Sequence, residues 1–129
     1  MTVTPLNTLV CRHLKLGPGA DLFASLREFL DAENLERAFV LSTIGSLRRV
    51  VVNYPKAMED NPEVGSVTLE GAYEINGISG EVWREPGRIR VHLHGSVTRE
   101  ASTLYGGGLG EGAVVLKLAE MVILGIPKE

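Results

Sequence analysis

Apolar and polar positions along this chain repeat with two different periods, and the switches between them set one helix among strands. The helical stretch is the clearest. Leu22, Phe23, Leu26, Phe29 and Leu30 fall on one stripe, with Arg27, Glu28 and Asp31 opposite, the arrangement of a helix that buries one face. Asp21 stands where a side-chain oxygen accepts from the helix's first unpaired amides, and Gly17-Pro18-Gly19 just before it predicts a turn. Asn34 suits the left-handed position that ends a helix, and Leu35 beyond it can fold back onto the last turn.

Elsewhere the period is two, or the chain is apolar on both sides. Thr8 to Leu16 reads as a first strand, Ala38 to Ile44 as a buried one, Gly45-Ser46 as a bend, and Leu47 to Tyr54 as a valine-rich strand. Pro55 to Gly65, with two prolines, Asp60 and Asn61, predicts a surface loop. Val67, Leu69, Gly71, Tyr73 and Ile75 then face one way and Thr68, Glu70 and Glu74 the other, and Asn76-Gly77 predicts a hairpin. A strand from Ile78 to Arg84, a turn at Glu85-Pro86-Gly87 and a strand from Arg88 to Val97 follow. The periodicity of Ala113 to Leu124 admits a buried helix, but its valines and isoleucines favour a strand, and Gly106, Gly107, Gly108, Gly110 and Gly112 before it predict a tight loop. The expected architecture is an α+β, two-layer domain: a mostly antiparallel β-sheet of six or seven strands with one main helix. At 129 residues, the whole of 1–129 is expected to form a single domain.

Charge narrows the choice of partners. Thirteen Lys and Arg against sixteen Asp and Glu give −3, with no basic run at either end, so the long-range field does not draw in a nucleic-acid backbone. Cys11 is the only cysteine, which excludes an intrachain disulfide and reads as a small core residue in a reducing, cytoplasmic setting. No basic patch precedes an apolar leader, and the run from Ala113 to Ile126 is short and interrupted by Lys117 and Glu120, so neither export nor membrane association is expected.

The candidate chemistry lies on one strand. His92 and His94 are two apart, so both side chains project from the same face, with Arg90 in line and Val91, Leu93 and Gly95 on the other. A shared ion, ligand or carboxylate is within their reach, and Gly106, Gly107 and Gly108 are placed to line the same cleft. The glycine run carries neither the Lys-Ser/Thr ending of a phosphate loop nor a βαβ setting, which leaves close backbone packing as its role. Glu120, inside an apolar strand, requires a cationic or imidazole partner. Nucleophilic catalysis has no support: no Gly-x-Ser-x-Gly elbow exists, and Cys11 lacks a recognisable activating pair. Trp83 and Tyr73 are expected to pack the sheet rather than stack bases.

Several separated segments agree, in order and spacing, with one family. Leu16-Gly17-Pro18-Gly19-Ala20-Asp21-Leu22, Ser42-Thr43-Ile44-Gly45-Ser46-Leu47, Leu69-Glu70-Gly71-Ala72-Tyr73-Glu74-Ile75, Ile78-Ser79-Gly80, Val91-His92-Leu93-His94, Gly106-Gly107 and Ala119-Glu120 together resemble the PPC domain (plants and prokaryotes conserved, DUF296). The resemblance runs from about Leu9 to Leu124. It implies a small antiparallel sheet with helices on one side, homotrimeric association, and in plants a position after AT-hooks in DNA-binding proteins. The hook core Arg-Gly-Arg-Pro is absent here, and the nearest stretch, Pro86-Gly87-Arg88-Ile89-Arg90, reads as a turn opening a strand. DNA is therefore expected only as a weak partner, with contacts from arginines such as Arg48, Arg49, Arg88 and Arg90.

The resemblance also implies a metal site, because many prokaryotic members carry a histidine directly after the Gly-Gly pair, completing three with the strand histidines. Here that residue is Gly108. Two imidazoles fall short of a zinc-type ligand set, so no cofactor is expected unless His13, Glu120 or a second subunit supplies a donor for zinc or another transition metal. The leading expectation is a stand-alone, non-enzymatic, cytoplasmic homotrimer acting as an association or regulatory module. Its alternative is an unknown small-molecule ligand or a metal-dependent reaction at a His92/His94 cleft on a subunit boundary, with Arg90, Gly106, Gly107, Gly108 and Glu120 lining it.

Overall fold

A computed structural model describes all 129 residues. The chain forms β1 (Val10–Leu16), α1 (Leu22–Ala32), β2 (Leu35–Pro55), β3 (Val64–Glu85), β4 (Arg88–Arg99), β5 (Thr103–Leu109) and β6 (Val114–Pro127). The six strands make one antiparallel sheet in the order β1-β6-β2-β3-β4-β5. It curls far enough for β5 to return to β2, where Val52 pairs with Leu109 and Asn53 with Gly108. No helix is long and apolar enough to cross a membrane.

The helix forms where the apolar stripe places it. Asp21 accepts from the Ala24 amide at 2.9 Å, and Asn34 takes φ 54° just past the helix end. Leu22, Phe23, Leu26 and Leu30 are buried against the inner face of the sheet. That face supplies Leu47, Val50, Tyr73, Val82, Leu93, Val97, Val115, Met121 and Ile123. The final run is a strand, as valine and isoleucine indicated.

Four local expectations fail, three of them because long-range pairing overrides a local signal. Asn76-Gly77 is not a hairpin: β3 runs straight through it, since the residues on both sides pair with the same two neighbours, β2 and β4. The dipeptide instead marks a bulge between Ile75 and Gly77, which keeps both Ile75 and Ile78 buried. Gly45-Ser46 is likewise no break in β2, only a register shift against β6. The glycine run Gly106-Gly107-Gly108 is not a loop but the end of β5, paired with Ser96, Gly95 and His94. Cys11, read as a core residue, is exposed on β1.

The bulge leaves a break in the β2–β3 ladder between Val40–Gly80 and Gly45–Ile75. Thr43, the buried polar residue of the core, bridges it by donating its hydroxyl to the Ile78 carbonyl at 2.8 Å. Replacing it with the isosteric valine leaves that carbonyl without a partner. Thr43→Val is therefore expected to cost about 1–3 kcal/mol in urea unfolding.

The β4–β5 turn carries strain of its own. Glu100 and Ala101 take φ 51° and 57°, and Ser102 N–H donates to the Arg99 carbonyl at 3.1 Å, a primed turn built without the asparagine and glycine that favour it. Glu100→Asn with Ala101→Gly is expected to stabilise the fold by about 1–2 kcal/mol, read as a raised midpoint in the same titration.

Candidate functional site

The Pro86-Gly87 turn sets the register of everything around the histidines. With Glu85 opposite Arg88, the ladder places Trp83 opposite Arg90, Glu81 opposite His92 and Ser79 opposite His94. Gly80 allows the two strands this approach: a Cβ there would stand 2.0 Å from the His92 carbonyl oxygen. Along β4, Leu93 and Val97 point into the core, so His92, His94 and Arg90 occupy the outer face of the sheet.

The two imidazoles touch. Their Nε2 atoms are 3.1 Å apart, with ring centroids 4.9 Å apart and planes crossed at 76°. In a hydrogen bond between them one ring donates its N–H to the lone pair of the other, and the tautomers decide which. Both rings are exposed. Gly108 lies beside them in register with His94, and a Cβ built on it would stand 3.7 Å from His94 Nε2 and 3.5 Å from the Asn53 carbonyl oxygen, ordinary contact distances. A Cβ fits there without displacing its neighbours.

A charged lattice borders the pair. Glu81, across from His92, is bound by Arg37. The guanidiniums of Arg37 and Arg90 lie 5.4 and 5.7 Å from the centre of the Trp83 ring, within cation–π range. The Trp83 indole donates to Glu85 at 3.0 Å, and Arg88 Nε donates to the other Glu85 oxygen at 3.0 Å. The indole hydrogen bond, then Arg88 and the nearby charge of Arg90, hold the Glu85 carboxyl below its ordinary pKa. On the helix side, Arg27 forks onto Glu111 and donates through Nε to the Ile89 carbonyl at 3.1 Å. The bond to Glu111 raises the Arg27 pKa further.

The structure brings together His92, His94, Gly108 and, farther along the same face, Arg90; Gly106 and Gly107 are the next residues of the paired strand. It does not bring Glu120 or His13 to them. Those two belong to β6 and β1, separated from β4 by β2 and β3. They meet each other instead, His13 Nε2 standing 3.4 Å from Glu120, with Lys15 at 3.7 Å on its second oxygen. Glu120 thus has the partner that its apolar surroundings demanded. Within one chain, no group of three His, Cys, Asp or Glu residues has metal-binding geometry. The donor set at His92 and His94 therefore stops short of a zinc-type centre.

Sequence reading missed Arg37, Asn53, Glu81, Trp83 and Glu85 as neighbours of this face. Three of them, Glu81, Trp83 and Glu85, were recoverable, because a two-residue turn at Pro86-Gly87 dictates which β3 residues oppose His92, Arg90 and Arg88.

The sequence matches the Plants and Prokaryotes Conserved (PCC) domain over residues 8–127. Among solved structures it is similar to a plant- and prokaryote-conserved protein of Pyrococcus horikoshii (26% identity, TM-score 0.82, covering 99% of this chain and 87% of that one). It is also similar to a metal-containing protein of Archaeoglobus fulgidus (26%, 0.84, covering 100% and 88%). Of curated proteins it is similar to the bifunctional protein GlmU of Synechococcus sp. (strain JA-3-3Ab), 31% identical over 119 residues. That match covers 92% of this chain but only 18% of the length of the relative. From turn to terminal strand, the order of elements and the motif residues they carry place this chain in the Plants and Prokaryotes Conserved domain family.

Proposed function

We propose that this domain is a non-catalytic association module that assembles as a closed homotrimer through the outer face of β2 and β6 and serves a regulatory role. One observation carries the reading: only one face of the sheet is covered by the helix, yet β6 carries apolar residues on both, with Glu120 among those of its outer face. Val115, Ala119, Met121 and Ile123 fill the core, while Leu116 and Val122 on the other side are 39% and 40% exposed, beside Leu41 at 52% and Ile44 at 59%. A run of exposed leucine, isoleucine and valine on adjacent strands is the surface that self-association removes from water. The His13–Glu120–Lys15 cluster lies within this run, Glu120 standing opposite Ile44, so its charges would enter the interface already paired with one another. Three subunits rather than two is what family resemblance implies.

Duplex DNA is a weak, salt-sensitive partner in this reading. The net charge is −3, and Arg12, Arg27, Arg37, Arg49, Arg84, Arg88 and Arg90 are each within ion-pair distance of a carboxylate. Phosphate contacts would have to displace those partners.

Sedimentation equilibrium tests the assembly. The unmodified chain is expected to sediment at three times its monomer mass at micromolar concentration, and Ile44→Lys with Val122→Asp at the monomer mass. The lysine has Glu120 as its cross-strand neighbour, which keeps the monomer folded while placing charge in the interface. An unmodified monomer would refute the proposal.

A second reading is favoured by the room for a Cβ at Gly108 beside His94 and by the metal-containing relative: a metal centre on His92 and His94 completed by a donor from another subunit. It requires the trimer to bind zinc in simple stoichiometry. Gly108→His supplies the third imidazole within one chain, and zinc affinity by titration calorimetry is expected to rise about tenfold or more, about 1.4 kcal/mol, over the unmodified protein. Equal affinities would show that position 108 does not reach the pair.

A further inference from the structure

β4 has a bare edge. From Leu93 to Arg99 it lies between β3 and β5, but from Arg88 to His92 it pairs with β3 alone. The neighbouring lane empties because β5 ends at Leu109 and the chain turns away, Gly110 N–H donating to the Val51 carbonyl at 2.9 Å. Which groups face this lane follows from two contacts. The Ile89 carbonyl points into it, where Arg27 of α1 reaches it, whereas the His92 carbonyl points at Gly80 of β3. Alternate residues of an antiparallel strand present their amide and carbonyl to the same side, so Ile89 and Val91 face the lane and Arg88, Arg90 and His92 face β3. Arg27 caps the Ile89 carbonyl; Val91 presents both groups to an empty lane. No proline, lysine or bulge blocks this edge, the usual protections of an exposed strand.

The lane is a groove of about 630 Å³ between α1 and β4, with Phe23 and Leu109 on one wall. Arg27, Arg88 and Arg90 border it, against the two carboxylates Glu85 and Glu111. Its surroundings are thus locally positive on a chain of net charge −3. An extended segment lying there would direct one set of alternate side chains toward Phe23 and Leu109 and the other toward the outer face carrying Arg88 and Arg90.

We propose that the bare edge of β4 at Arg88–His92 binds an extended segment of a partner protein, alternating apolar and acidic residues, as an added strand. The bound stretch is about five residues, roughly 16 Å. Main-chain bonds to Val91 hold it, and the arginines select its charge. This edge lies away from the apolar face of β2 and β6, so it stays available whether or not the domain self-associates through that face.

The test uses two synthetic probes, acetyl-Val-Glu-Val-Glu-Val-amide and its lysine counterpart, and reads amide exchange by NMR at Ile89 and Val91. The glutamate peptide is expected to slow exchange at Val91 and to bind roughly tenfold tighter than the lysine peptide. Val91→Pro removes a lane-side N–H and spares the β3 ladder, and is expected to abolish binding. Arg90→Glu leaves the edge intact and is expected to weaken the glutamate peptide roughly tenfold with the fold unchanged. Absence of protection by either peptide would overturn the proposal, as would equal binding of both, or full affinity in Arg90→Glu. A Val91 amide already protected in the peptide-free protein would also overturn it, by showing that a second copy fills the lane.

Discussion

The structure depends on β2 having both of its edges satisfied. A strand from Leu35 to Pro55 carries more backbone amides and carbonyls than any other element beside it except β3, and in a buried setting each needs a partner. One edge is met by β3. The other is shared in sequence: β6 serves it from Leu35 to Arg49, and β5 takes over at Val52 and Asn53. That handover forces the sheet to curl, because β5 can reach β2 only after β3 and β4 have carried it round. The curl encloses the side that α1 covers and leaves the other side of β2 and β6 facing outward.

Those pairing demands explain where local sequence signals succeeded and failed. The helix and its ends were legible because stripe, cap and left-handed residue all lie within a few positions of one another. The alternation around Leu93 and the paired spacing of His92 and His94 were legible for the same reason. Asn76-Gly77 misled because its preference for a hairpin is local, whereas strands on either side of it already held both neighbours. A ladder continuing through the dipeptide retains more hydrogen bonds than a turn that releases one flank. The glycines of β5 misled differently. Without side chains they show no alternation, so nothing in their own composition distinguishes a strand from a loop, and their assignment rests on partners in β4.

The functional residues divide along the same line. His92 and His94 meet because a strand makes neighbours of residues two apart, and Gly108 joins them through a short hairpin. Glu120 and His13 find each other across β1 and β6, drawn from opposite ends of the chain, a register that no local pattern contains. The apolar surroundings of Glu120 announced that it needed a partner, but only topology names which histidine answers. What resembled one cleft in sequence is two separate polar groups on the sheet's outer face.

The departure at Gly108 changes what the histidine pair can do. A third imidazole would turn the lone pair of one ring toward a shared ion, whereas here the rings satisfy each other at 3.1 Å. Nearby, the arginines are likewise bound to carboxylates, and Trp83 lies between two of them. Paired in this way, Arg27, Arg88 and Arg90 against Glu85 and Glu111 leave a small positive excess beside β4, enough to act on a segment in contact but too little to steer a polyanion at long range. The remaining free capacity of the sheet is of another kind, namely the main chain at Val91 and the apolar side chains of β2 and β6. Both are means by which one polypeptide recognises another, and they follow from the same cause: a six-stranded sheet has more edge and more face than one eleven-residue helix can cover.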